Sequence, residues 1–313
     1  MGSPYLMKDL LIKNNITFEQ GVSRGYWVMQ NTARILLDME VGDSFARLTD
    51  LQDIFSVGAG TVQTAIKSLE DIDAISLKRS GHLGTQIAAL DYAKLASIGG
   101  RSSLIGLFPS SSADEPREVS EKIQTMVQQS GFSLKVQNIP GAKKRIQPLL
   151  DDEADFAMVS IATIHYMKLS QEEFGWFDLG SYSFYKEGSL NIISRTNFSP
   201  ENGSFRLGLD RESIDHELLG QTEFATYPNV KIVECHYIDS PKLILENQID
   251  CSVWHNIDMI IPLSSVGIVE RPFKNPQACE KLANVARGAL VYKKSNRFAA
   301  RIIQDCFKTK PKN

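Results

Sequence analysis

Four polar clusters carry the groups of this sequence best suited to gripping a small ligand: Ser110, Ser111 and Ser112; Ser160; Asp210, Arg211 and Ser213; and Trp254 with His255. Each follows or closes a short apolar run of strand character. Serine hydroxyls and free backbone amides at helix starts suit a carboxylate or phosphate, and the guanidinium of Arg211 adds a charge-assisted bond. Equipment for covalent or metal chemistry is missing. There is no Walker-type glycine loop, no GxSxG elbow, no HExxH and no GxGxxG at a strand-helix junction. His82, His165, His216, His236 and His255 are dispersed, and His165, His216 and His236 read as structural residues. Cys235, Cys251, Cys279 and Cys306 show neither CxxC nor His-paired spacing, so they read as reduced core thiols rather than a zinc site or disulfide framework. No catalytic residue, cofactor or metal is expected.

A second set of residues suits a polymer. Between Phe45 and Ile87, Thr49 and Gln52 have the spacing of a capping box for a helix whose apolar side is Leu48, Leu51, Ile54 and Phe55. Ser56-Val57-Gly58 breaks the chain, with Val57 plugging the corner and Gly58 supplying a turn conformation that other residues resist. In the next helix Val62, Ala65, Ile66 and Leu69 recur at helical spacing and face inward. Outside lie Ala59, Gly60, Thr61, Gln63, Thr64 and Lys67, small or hydrogen-bonding as entry into a major groove requires. A Gly-punctuated hairpin follows, with Lys78, Arg79 and His82 near its tip, placed with Arg47 to meet a phosphate backbone.

This stretch resembles the GntR-type winged-helix regulators. Their Phe-x-Val-Ser-Arg-x-Thr-Val core and Gly-x-Gly-Thr wing are echoed by Phe55, Val57, Thr61, Val62, Leu69, Gly81, Gly84 and Thr85. Gly58 and Ala59 stand where that family has Ser and Arg, and the wing turn carries one additional residue. The resemblance implies double-stranded DNA as partner, with Arg47, Gln63, Lys67, Lys78 and Arg79 carrying more of the binding in place of the missing Arg. Residues 1–90 hold eight Lys/Arg against ten Asp/Glu, a net of −2, which leaves a protein-protein winged helix beside a small-molecule-binding or enzymatic domain as the alternative.

The supporting elements surround this motif. Tyr5 to Lys13 and Tyr26 to Met39 read as helices, and Gly99-Gly100-Arg101-Ser102-Ser103 has linker composition. Beyond it, strands alternate with helices: Leu104 to Phe108, Glu118 to Ser130, Phe132 to Val136, Gly141 to Leu150 and Asp155 to Ser160. A long strand-like stretch from Phe177 to Arg195 leads to a second series that ends in a strand at Ala286 to Tyr292 and a helix at Asn296 to Phe307. Such alternation argues for an α/β fold with largely parallel sheets. With 313 residues, 42% apolar and 23% charged, the chain is long enough for two or three ordinary globular domains. A net charge of −3 favours no polyanionic partner overall, so DNA affinity must come from local patches. Residues 1–15 hold no long apolar run after a basic start, and no later segment approaches membrane-spanning length. A cytoplasmic protein without a membrane partner is the expectation.

Both halves of the second region repeat a phrase, LLDDEADFAMVS near Leu149 and LENQIDCSVWH near Leu245, with Asp155 and Asp250 at matching points. This resembles the two-lobed type 2 periplasmic-binding-protein fold. Joined to the winged helix-turn-helix, the whole chain resembles the YhfZ family of transcriptional regulators. The expected organisation is a winged helix-turn-helix domain over 1–90, a linker over 91–103 and a binding-protein-like domain over 104–313. Lobe 1 would span about 104–192 and 285–313, and lobe 2 about 193–284. The resemblance implies a cleft at strand ends and helix starts where Ser110, Ser111, Ser112, Ser160, Asp210, Arg211, Ser213, Trp254 and His255 meet a small anionic metabolite. It also implies a homodimer on an operator.

Overall fold

The computed structural model describes residue 7 and residues 21–79, 84–109, 114–256 and 261–308. The sequence-expected helix over 5–13 falls outside them apart from Met7, which is buried, as do the wing tip with His82 and the serines Ser110, Ser111 and Ser112. In chain order the elements begin with α1 (Arg24–Leu36), β1 (Ser44–Phe45), α2 (Leu48–Phe55), α3 (Ala59–Asp71), β2 (Ile75–Arg79), β3 (Thr85–Leu90) and α4 (Tyr92–Gly99). There follow β4 (Ser103–Phe108), α5 (Asp114–Gln129), β5 (Ser133–Asn138), α6 (Ala142–Leu150), β6 (Phe156–Ser160), α7 (Ile161–Tyr166) and β7 (Phe174–Gly180). The series continues with β8 (Leu190–Arg195), β9 (Phe205–Leu209), α8 (Ile214–Glu223), β10 (Val230–Glu234), α9 (Ser240–Leu245) and β11 (Cys251–His255). It closes with β12 (Ile268–Arg271), α10 (Pro276–Val285), β13 (Gly288–Lys293) and α11 (Arg297–Lys308). None of these helices is long and apolar enough to cross a membrane among the described residues.

The chain divides into two units, one of Met1–Leu104, Val127–Ser133 and Asn296–Asn313, the other of Ile105–Met126 and Leu134–Ser295. In the first, α1, α2 and α3 pack through Trp27, Leu51, Phe55, Val62, Ala65 and Leu69, and a three-stranded sheet of order β1-β3-β2 forms the wing. The Trp27 and Phe55 rings meet edge to face, 5.4 Å between centroids. Two local expectations need correction. The N-cap of α2 is Arg47, with no side-chain cap bond, rather than Thr49, because the helix starts earlier than the capping-box spacing suggests. At the corner the left-handed residue is Ser56 (φ 50), whereas Gly58 has an ordinary φ of −71 as the N-cap of α3.

Residues 91–103, of linker composition, contain α4. Asp91 caps it by accepting the Lys94 N–H at 3.0 Å, and Leu95, Ala96 and Gly99 are buried. Gly99 lies so near α1 that a Cβ there would fall 2.9 Å from Arg34 Cγ. Helix α11 belongs to the same unit. The Phe298 N–H donates to Asp38 at 3.0 Å, and Arg301 donates to the Leu37 and Met39 carbonyls at 2.8 and 3.0 Å. The Arg301 guanidinium also sits 3.8 Å from the Tyr92 ring centroid.

The second unit holds two five-stranded sheets, of order β5-β4-β6-β13-β7 in lobe 1 and β10-β9-β11-β8-β12 in lobe 2. In lobe 1, β4 and β6 are parallel and β13 is antiparallel to both β6 and β7. In lobe 2, β9 is parallel to β10 and β11, and β8 is antiparallel to β11 and β12. Each sheet thus takes the same arrangement, second, first, third, a crossing strand, then fourth, which is the periplasmic-binding-protein fold. The echo in the sequence has a structural counterpart. Asp155 accepts the Ile105 N–H at 2.8 Å and Asp250 accepts the Arg206 N–H at 2.7 Å, so each carboxylate ties the third strand of its lobe to the first. The stretch read as one strand from Phe177 to Arg195 is two, β7 and β8, separated by the passage between lobes. The four cysteines are unpaired; Cys251 and Cys306 are buried, but Cys279 is exposed rather than a core thiol.

Candidate functional site

Helix α6 is preceded by its N-cap Gly141, whose φ of 81 favours glycine and whose Cβ, if present, would approach the Glu212 carbonyl to 3.0 Å. Two lobes can approach this closely only because the residue is glycine. Around that seam Lys143 donates to the Arg211 carbonyl at 3.0 Å, Lys144 pairs with Glu212 at 3.2 Å, and Ser160 Oγ donates to Asp215 at 2.5 Å. Between the lobes lies a cavity of about 320 Å³, at the low end of the roughly 300–1,000 Å³ typical of ligand pockets. Its polar lining includes Arg145, Tyr185, Asp210, Ser213, Asp215, His216, His236 and His255.

Arg145 is the buried cation of this cavity among the described residues, Lys144 on the same wall being exposed. It occupies the apolar stripe of α6 with Ala142, Ile146 and Leu149, and is only 4% exposed. Nε donates to the Met158 carbonyl at 2.9 Å and Nη1 to the Ile139 carbonyl at 2.8 Å, while Nη2 has no acceptor among the described residues. Burial lowers its pKa to about 10, so it stays charged at neutral pH. Opposite it, Asp215 is 3% exposed and accepts hydrogen bonds from Ser160 and Tyr185. Burial raises its pKa to about 6, against the opposing pull of Ser160 and Arg145. Burial lowers the His216 imidazole to about 3, so it is neutral. Its Nδ1 is buried without a hydrogen-bond partner among the described residues. Tyr185 is pushed well above its ordinary value by burial and then by Asp215.

Of the sequence-derived candidates, Asp210, Ser213 and His255 line the cavity. Asp210 accepts the Glu212 and Tyr237 N–H groups at 2.9 and 3.1 Å, and Ser213 caps α8. Arg211 does not line it. Its side chain is 44% exposed and its guanidinium is bound by Glu217 and faces Glu234, so acidic neighbours on its own lobe hold it outside. Ser160 is fully buried, its hydroxyl spent on Asp215, Thr163 Oγ1 and the Thr163 N–H that it caps, which makes it a support of the site rather than a contact. Trp254 and His255 both fall inside β11 rather than after it, and strand alternation directs Trp254 into the lobe 2 core with Ile193, Ile244 and Ile249. Sequence reasoning missed Arg145, Tyr185 and Asp215, and it set His216 and His236 aside as structural although both line the cavity.

The winged unit presents a second surface. Gln63, Thr64 and Lys67 are exposed on α3 and Thr61 is half-buried, while Arg47, Lys78 and Arg79 are exposed around it. Gln63, Lys67, Glu70 and Arg79 line an open groove between α3 and the wing. Glu70, at the end of α3, pairs with Arg79 at 3.3 Å. At such an exposed site the pair contributes about 0–1 kcal/mol, leaving Arg79 available to a stronger anion.

A winged helix-turn-helix joined in one chain to a two-lobed binding-protein fold defines a class, the DNA-binding regulators with a periplasmic-binding-protein-like domain. Family models match both parts: a helix-turn-helix domain over residues 40–87 and the YhfZ C-terminal domain over residues 91–310. The chain belongs to the YhfZ family. YhfZ of Escherichia coli (strain K12), itself uncharacterized, is 25% identical over 247 residues, covering 78% of this chain and 79% of the relative. The crystal structure of YhfZ from Shigella flexneri is similar in fold, with a TM-score of 0.51 and 17% identity, over 71% of this chain and 97% of that one. The periplasmic VFT2 domain of Bordetella pertussis BvgS matches with a TM-score of 0.46 and 12% identity, over 71% of this chain and 94% of that domain.

Proposed function

We propose that the protein is a ligand-responsive transcriptional regulator that binds DNA as a homodimer in the cytoplasm and senses a small anionic metabolite in the cleft between its lobes. Residues 1–90 read DNA and the two-lobed unit takes the effector. Thr61, Gln63, Thr64 and Lys67 face base edges, and Arg47, Lys78, Arg79 and His82 meet phosphates. A single winged module buries little surface on DNA, and a symmetric pair reading half-sites about 34 Å apart supplies the rest. The observation that carries the effector reading is Arg145, a buried guanidinium that lines an interlobe cavity and whose Nη2 has no acceptor among the described residues. It takes the part that the sequence suggested for Arg211.

Gel shifts on DNA from upstream of its own gene, combined with native mass spectrometry of mildly purified protein, test this. A retarded dimer complex and a retained small anion are the expected results. Absence of any complex at about 50 mM salt, where phosphate contacts are strongest, would overturn the DNA reading. The acid excess over residues 1–90 would then favour a protein-interaction module.

A further inference from the structure

Resting on the cleft as effector site, we infer that the effector is a monoanion bearing hydroxyl groups, rather than a dianion or a zwitterion. Three features of the cavity wall lead there.

Arg145 spends Nε and Nη1 on the protein's own carbonyls and leaves one face of its guanidinium for a single acidic head. Of the other basic groups on this wall among the described residues, each already has a carboxylate beside it: Lys144 pairs with Glu212 at 3.2 Å in an exposed contact, and His236 lies 3.9 Å from Asp210. The buried carboxyl groups of Asp210 and Asp215 line the same cavity, so a second negative charge on the ligand would be set against them. An ammonium group would have to share carboxylates that are already engaged: Asp210 accepts two backbone N–H groups, and Asp215 accepts from Ser160 and Tyr185.

His216 adds an unpaired nitrogen to this wall. It lines the cavity at 2% exposure, its ring stands edge to face with Tyr237 at 4.6 Å, and Nδ1 has no partner among the described residues. A buried polar nitrogen left unpaired is costly, and a neutral imidazole pairs with a hydroxyl in either direction, as donor or acceptor. Burial keeps this imidazole neutral, so it offers no charge to a second carboxylate. A hydroxylated carboxylic acid matches the wall group for group: carboxylate on Arg145, hydroxyl on His216.

Thermal shifts of the full chain at neutral pH, with about 10 mM gluconate, hexanoate, adipate, inorganic phosphate or glutamine, test the class, since a ligand that binds only the folded state raises the melting temperature. Gluconate should stabilise most, and Arg145→Met should abolish its effect. His216→Phe should weaken gluconate about tenfold while leaving hexanoate unchanged, and His216→Asn, which keeps a hydrogen-bonding group, should restore most of the loss. Stronger stabilisation by adipate, phosphate or glutamine, lost in Arg145→Met, would overturn the hydroxylated monoanion and keep the cleft. Hexanoate equal to gluconate would overturn the role of His216. If no probe acts, or if every effect survives Arg145→Met, both the class and the cleft reading fall.

Discussion

Replacing Asp215 with asparagine should stabilise the two-lobed unit at neutral pH and leave its stability unchanged in acid. The side chain is 3% exposed, and burial lifts its carboxyl from 3.8 to about 6. A folded-state value above the unfolded one means that the native protein holds the proton more tightly. The ionised form therefore opposes folding, fully above pH 6, and this cost fades as pH falls toward 3.8. At roughly 1.36 kcal/mol per pKa unit, the cost reaches about 3 kcal/mol. Asparagine keeps the shape and the oxygen that accepts from Ser160 and Tyr185, yet carries no charge. His216 pulls the other way. Its fall from 6.5 to about 3 gives stability that is present at high pH and lost as pH drops through that span, and it is common to both proteins. Urea titrations from about pH 4 to 8, read by tryptophan fluorescence in a Trp27→Phe background, leave Trp176 and Trp254 reporting from the second unit. The stability difference between the Asp215→Asn variant and its parent should rise from near zero at about pH 4 to about 3 kcal/mol above about pH 7. A difference flat across that range would show that Asp215 is not the strained carboxyl described here.

Replacing Gln63 and Lys67 together with Ala should weaken operator binding roughly tenfold or more without lowering the melting temperature, measured by fluorescence anisotropy. Equal affinity at moderate salt would show that face of α3 to be idle. Replacing Lys78 and Arg79 should weaken binding to all sequences alike and reduce the slope of log affinity against log salt by about 2, since each lost phosphate contact removes about 0.9. Arg301→Ala, which deletes two hydrogen bonds to carbonyls and the stacking on Tyr92, should destabilise the winged unit by about 2–4 kcal/mol in thermal unfolding; an unchanged midpoint would show the α11 contacts to be inert.

The alternation of strands and helices is legible in the sequence because each buried strand is a short apolar run between turn residues, and the Asp155 and Asp250 echo marks the two lobes. Polar residues at or just past strand ends are legible for the same reason: Asp210 and Ser213 follow β9, and His255 is the last residue of β11. Arg145 is hidden in Ala142-Lys143-Lys144-Arg145, which looks like the solvated face of a helix. Its spacing from Ala142, Ile146 and Leu149 is that of an apolar stripe, and this is the signal available. Arg211 misleads because a sequence does not show which acidic residues will claim a cation, here Glu217 further along the same chain segment. Tyr185 sits in the passage between β7 and β8, where no periodicity points a side chain anywhere.

The position of β13 has a consequence for how the chain is made. It lies between β6 and β7, hydrogen-bonded to both, yet it is synthesised after every other strand of the two sheets. Lobe 2 is drawn from one continuous stretch and can complete its sheet early, whereas β7 has no neighbour on its inner side until residue 288 emerges. During synthesis lobe 1 therefore exposes two unpaired strand edges around an apolar gap, the kind of intermediate that aggregates or recruits chaperones. Ribosome-bound chains stalled with residues 1–287 outside the exit tunnel should bind such holdases and resist closure. Chains stalled with residues 1–295 outside should not.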